Sequence, residues 1–182
     1  VDQTIENLFE VAVPGTVNST KEMPPAVSPK APESIKELTG VMIAGLGDSL
    51  PVSKFPVDGT YPLATSRWEK RNIALSVPSW DGSICIQCGK CSTICPHAAI
   101  RTKVYPAELL KDAPPTFKSV DVKDKEFAGQ KFTIQVFVED CTGCEACQYV
   151  CPGKDKKDPS RKPLSMVDQV PLRETERANA EF

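Results

Sequence analysis

Residues 85–96 and 141–152 share one spacing, C-x2-C-x2-C-x3-C-P, and together hold all eight cysteines of the chain. The filler differs, CIQCGKCSTICP against CTGCEACQYVCP, so what repeats is the placement of sulfur. Four thiols within eleven positions, twice over, force these segments to loop around something rather than run as strands or long helices.

The spacing is that of bacterial two-cluster ferredoxins, in which three thiolates curl around one cube of iron and sulfide and the fourth reaches the neighbouring cube. The fourth cysteine is expected to open a helix that carries it away. On that rule one [4Fe–4S] cluster takes Cys85, Cys88, Cys91 and the distant Cys151, and the other takes Cys141, Cys144, Cys147 and Cys95. The exchange staples the two runs together, so cluster loading and folding are expected to be one event. Pro96 and Pro152 hold the preceding cysteine extended and help to end each loop.

Eight cysteines have two other common uses. A disulfide framework needs an exported protein, and cysteines two residues apart pair poorly. Zinc takes two C-x2-C pairs per ion and has no need of a third and fourth cysteine in each run. A cube with four thiolates leaves iron no open position for substrate, so one-electron transfer is the chemistry expected, and no catalytic residue is assigned. Two oxidised clusters at −2 each would take the formal charge of −2 to about −6, which opposes reduction and favours low potentials.

Lys90 lies inside the first run, and Arg101 and Lys103 follow it. The stretch KDKKDPSRK, 154–162, carries five positive and two negative residues, either a docking patch for an acidic carrier or a solvated loop. His97, the single histidine, either donates toward a cluster sulfur or is structural. GLGDS, 45–49, lacks the lysine and hydroxyl of a phosphate loop and marks a helix stop.

Elsewhere 17 prolines and 7% aromatics argue against a large regular core. Val1, Ile5, Leu8 and Phe9 fall at helical spacing over 1–10, 14–32 is a proline-rich strap, and Ile35, Leu38 and Met42 predict a helix near 32–45. Residues 50–68 form an irregular loop whose Phe55, Tyr61 and Trp68 need burial. One helical turn is expected after Pro106, and a half-buried strand through Phe132, Ile134, Val136 and Val138 leads into Cys141.

The resulting division is 1–49, N-terminal helices and proline-rich arm; 50–75, irregular connecting loop; 76–155, a two-cluster ferredoxin-like domain with an insertion at 100–140; and 156–182, a connecting tail. The fold class is α+β, short antiparallel strands and short helices around two cubes, with a long irregular N-terminal arm. No basic face with interleaved aromatics favours nucleic acid, and the longest apolar stretch, VMIAGL, is too short to cross a bilayer. No secretory signal opens the chain, so a cytoplasmic setting is expected. Starting at Val1 and ending in RETERANAEF, it reads as a piece of a longer polypeptide.

Loops outside the cysteine runs carry a wider likeness. LPVSKFPVDGTYPLATSRWEKRNIA, VPSWDGSICIQCGKCSTICPHAAIRTKVYPAELL and TFKSVDVKDKEFAGQKFTIQVFVEDCTGCEACQYVCPGKDK, with PLRETERANAEF, resemble pyruvate:ferredoxin (flavodoxin) oxidoreductase from about Leu50 onward. The resemblance implies a segment of a cytoplasmic, homodimeric enzyme. That enzyme converts pyruvate and coenzyme A to acetyl-CoA and CO2 with thiamine diphosphate, Mg2+ and a proximal cluster held elsewhere. Electrons then pass through two clusters in a domain like this one to ferredoxin or flavodoxin. A stand-alone two-cluster ferredoxin with extensions is the alternative.

Overall fold

The computed structural model describes residues 2–182 and divides the chain into two compact units, Val1–Tyr61 and Pro62–Phe182. Val1 of the first expected helix lies outside the described residues.

In the first unit, helix α1 runs over Asp2–Glu6 and stops well short of residue 10. Ile5, Leu8 and Phe9 are all more than 60% exposed, and a helix this short with no apolar surface to pack on does not propagate in water. The second expected helix forms, as π-helical turns over Ile35–Gly40 that pass into α2, Val41–Ile43. It ends where Gly45 turns left-handed at φ +78°, which a residue without Cβ adopts freely. Val27, Ala31 and Ile35 are buried, and a Cβ on Gly40 would lie 3.1 Å from Val27 Cγ2, so glycine permits this close approach. Phe55 and Tyr61 remain 38% and 40% exposed, contrary to the expected burial, because so small an apolar cluster has little surface to offer them. Tyr61 compensates with a hydroxyl contact to Thr39 Oγ1 at 2.8 Å.

The second unit holds five antiparallel strands in two small sheets. Strand β1, Ser76–Trp80, pairs with β5, Leu164–Asp168, setting Val77 opposite Val167 and Trp80 opposite Leu164. Strands β2, Ile100–Tyr105, and β3, Val120–Asp121, flank β4, Lys131–Val136. The alternation seen in the sequence directs Phe132, Ile134, Val136 and Val138 inward, each at most 6% exposed. They meet Val77, Trp80, Ile100 and Leu164 in one core that also takes in Cys85, Cys91 and Cys147. Trp80 and Phe132 pack edge to face at 6.0 Å. Thr133, on the other face of β4, is buried as well, and its hydroxyl donates to the Lys118 carbonyl at 2.6 Å.

The insertion between the cysteine runs is therefore the whole three-stranded sheet of β2, β3 and β4, with a 3-10 turn at Ala107–Leu110 after Pro106. Residues 156–182 contribute β5 and helix α5, Arg173–Glu181. Helix α5 is fastened to β4 and its exit: Gln135 donates to Glu176 at 2.8 Å, and Arg177 pairs with Glu139 at 2.6 Å. The Arg177 guanidinium holds the buried Glu139 carboxyl below the usual carboxylate range, against the opposing push of desolvation.

Gln169, 1% exposed, joins three segments at once. Its Nε2 lies 3.2 Å from both the Val138 carbonyl and Asn72 Oδ1, its Oε1 accepts from Arg173 at 2.6 Å, and its backbone N–H donates to Leu75. Gln169→Leu keeps much of the volume but strands these polar groups, so we expect a loss of about 1–3 kcal/mol, read as a lower Tm in thermal unfolding of the cluster-loaded chain.

Candidate metal centres

Both cysteine runs fold by one backbone recipe. Residues 87 and 143, each two after the first cysteine, are left-handed, at φ +60° and +70°. Residues 89 and 145, each directly after the second, are left-handed too, at +72° and +62°. These turns aim amide hydrogens back at sulfur: the Gln87 N–H lies 3.3 Å from Cys85 Sγ and the Gly143 N–H 3.4 Å from Cys141 Sγ. A single helical turn then carries the third cysteine inward, α3 at Lys90–Ile94 and α4 at Ala146–Val150, and the two helices pack against each other.

The fourth cysteine differs from the sequence expectation. It terminates the short helix rather than opening one, with Cys95 at φ −67°, ψ 112° and Cys151 at φ −67°, ψ 115°. The proline that follows forbids helical backbone at these positions, so the chain straightens and the thiol leaves its own loop.

Two hollows result. One is lined by Cys85, Cys88, Cys91 and Cys151, with Trp80 and Leu164; it encloses about 320 Å³ free of protein atoms, open solvent included. The other is lined by Cys141, Cys144, Cys147 and Cys95, with Pro78 and Met166, and encloses about 360 Å³. All eight cysteines are free thiols. Among the described residues no three metal-binding side chains crowd about the position of a single ion. Each quartet instead stands around an open space with largely apolar walls, which fits a sulfur-bridged cube. Trp80 strengthens that fit: it is 3% exposed, its indole N–H has no partner among the described residues, and it lines the first hollow, where a sulfur acceptor would satisfy it.

Burial shapes the acidity of these thiols. Desolvation pushes Cys91 and Cys147 up to about 11 and raises Cys141 and Cys151 as well, with neighbouring thiolates adding to the effect. Without a bound cation these groups hold their protons at neutral pH.

The surroundings of the two loops are less symmetric than their backbones. The first is gripped from the insertion: Lys123 Nζ donates to the Cys85 carbonyl at 2.6 Å, its N–H to Gln87 Oε1 at 2.7 Å, and Gln87 Nε2 to the Asp121 carbonyl at 2.8 Å. The second is gripped by residues 70–76: Lys70 pairs with Asp140 at 2.7 Å, Asn72 N–H donates to the Glu139 carbonyl at 3.2 Å, and a Cβ on Gly143 would lie 3.1 Å from the Ser76 carbonyl. His97 lines the second hollow, whereas Arg101 lies over the Phe137 ring at 4.2 Å and donates to the Ala98 carbonyl. In the basic 154–162 stretch Arg161 is tied to Asp81 and Asp155, which removes one of its cations from any free patch.

Sequence reasoning did not single out Trp80, Gln87, Lys123 or Glu145. Superposing the two runs exposes two of them, since each left-handed position is a glycine in one run and not in the other, Gln87 against Gly143 and Gly89 against Glu145.

Comparison with known proteins agrees with this geometry. Residues 78–152 match the family model of a 4Fe-4S dicluster domain, and residues 20–74 that of EKR, a domain of unknown function. The whole chain aligns at 52% identity with a pyruvate-flavodoxin oxidoreductase of Nostoc sp., and at 41% with a pyruvate:ferredoxin oxidoreductase of Moorella thermoacetica. Over its whole length the chain is similar to one segment of pyruvate-flavodoxin oxidoreductases. It corresponds to a segment of these enzymes, covering 16% of the length of the first and 15% of the second. Its α+β fold of short antiparallel strands and short helices around paired cysteine loops is the ferredoxin-like one expected. Among the described residues no helix is long and apolar enough to cross a membrane.

The raised thiols carry a pH consequence. Metal loading needs thiolates, so protons must leave Cys91, Cys141, Cys147 and Cys151 as iron and sulfide enter. We expect base to be consumed in a pH-stat at pH 8 beyond a protein-free blank, and apparent loading affinity to weaken as pH falls and strengthen as it rises toward 11.

Proposed function

We propose that this segment relays single electrons through two [4Fe–4S] clusters, one held by Cys85, Cys88, Cys91 and Cys151 and the other by Cys141, Cys144, Cys147 and Cys95. The observation that carries this reading is the pairing of thiols around each hollow: three from one run and the last from the other. Cubes bound there would supply reversible one-electron chemistry with no open position on iron. The chain's own residues supply the thiolates, the amide donors of Gln87 and Gly143 to sulfur, and the largely apolar walls of the two hollows.

In this reading 76–155 is the dicluster body, with 100–140 as its insertion, 1–49 and 50–75 as connecting arms and 156–182 as a connecting tail. The complete enzyme, a cytoplasmic homodimer, oxidatively decarboxylates pyruvate with coenzyme A. Thiamine diphosphate, Mg2+ and a third cluster lie outside this segment, and ferredoxin or flavodoxin accepts the electrons. The exposed apolar residues of the first unit, Val11, Val13, Val17 and Met23 among them, support a role for 1–49 as an arm against other domains of that enzyme.

The test is anaerobic reconstitution followed by dithionite reduction under EPR. Wild type should bind about eight irons per chain and show about two spins. Cys95→Ala should lose the centre of Cys141, Cys144 and Cys147, so that bound iron falls to about four per chain or fewer. A colourless chain that takes up zinc and shows no EPR signal would overturn the relay.

A further inference from the structure

The two loops share dihedral angles but differ in charge at matching positions. After the second cysteine the first run has Gly89-Lys90 and the second Glu145-Ala146, and Lys90 and Glu145 each line their own hollow. Lys123 sets an ammonium 2.6 Å from the carbonyl of Cys85, a member of the first quartet. Around the second quartet Lys70 is paired with Asp140, Arg101 lies over the Phe137 ring and donates to the Ala98 carbonyl, and His97 lines the hollow. Trp80 adds an unpartnered N–H to the first side, where the second has Pro78 and Met166.

Reduction adds one negative charge to a centre, and neighbouring cations and hydrogen-bond donors favour the reduced form. We propose that this asymmetry orders the two potentials: the centre of Cys85, Cys88, Cys91 and Cys151 is the higher, the centre of Cys141, Cys144, Cys147 and Cys95 the lower, and Lys123 and Glu145 are the residues that hold them apart. The proposal rests on the dicluster reading. One electron leaves the second centre, which is oxidised, and reduces the first; no proton moves and no bond forms or breaks. Electrons thus run from the side held by residues 70–76 to the side held by the insertion.

Potentiometric EPR titration of the reconstituted 182-residue chain tests the order. Wild type should resolve two midpoints. Lys123→Met should lower the upper midpoint alone, cutting its reduced-to-oxidised ratio at fixed potential about tenfold, equivalent to about 59 mV for one electron. Lys123→Arg should restore the wild-type value, and Glu145→Gln should raise the lower midpoint alone. The Glu145 arm decides the matter even if Lys123→Met loses its first centre. Two centres whose midpoints ignore both charges, or a Lys123→Met shift confined to the lower midpoint, would overturn the ordering and leave the relay standing. A chain that takes up no cluster would overturn both.

Discussion

The exchange of the fourth cysteine is the constraint on which this structure depends. Cys95 leaves the first loop to line the second hollow, and Cys151 does the reverse, so neither quartet can assemble unless both loops are in place. The exchange needs the chain to turn sharply after one helical turn, and the proline behind each cysteine enforces that turn. It also needs the two short helices side by side, and the core does this by packing Cys91 and Cys147 with Trp80, Ile134 and Leu164. A chain with so few regular elements compensates for a modest core through such crossings, where contacts far apart in sequence share a single cofactor.

What surrounds the loops was less legible than the loops themselves. The cysteine spacing pointed to both quartets, and the alternation from Phe132 to Val138 marked the strand that leads into Cys141. The strand β5 escaped notice because Leu164–Asp168 shows only one deeply buried residue and its partner is more than eighty positions away. Helix α1 is shorter than its apolar spacing suggests, since helical spacing says where an apolar face would lie but not whether anything covers it. The direction of the fourth cysteine was inverted for a local reason: the proline rule acts on the residue before it, which makes that cysteine an end and not a beginning.

The left-handed residues show how one backbone can serve two chemistries. Gln87 and Glu145 accept left-handed dihedrals that glycine takes without cost. Gln87 uses its side chain to bridge to Asp121 and Lys123, so the strained residue is also the link to the insertion. Glu145 makes no such bridge among its side-chain hydrogen bonds, and what it places at the second hollow is a negative charge.

That contrast bears on why the domain carries forty-five residues between its cysteine runs. A bare repeat of two identical loops would set two clusters in equivalent surroundings, and an electron would have no preferred side. The insertion breaks the equivalence: β3 and the turn after it bring Lys123 to Cys85, while residues 70–76, with Lys70 already neutralised by Asp140, close over the other loop. The segments added to the repeat therefore do more than fill the sheet. They give each loop a different electrostatic neighbourhood, and a relay built from like clusters needs such a difference to acquire a direction.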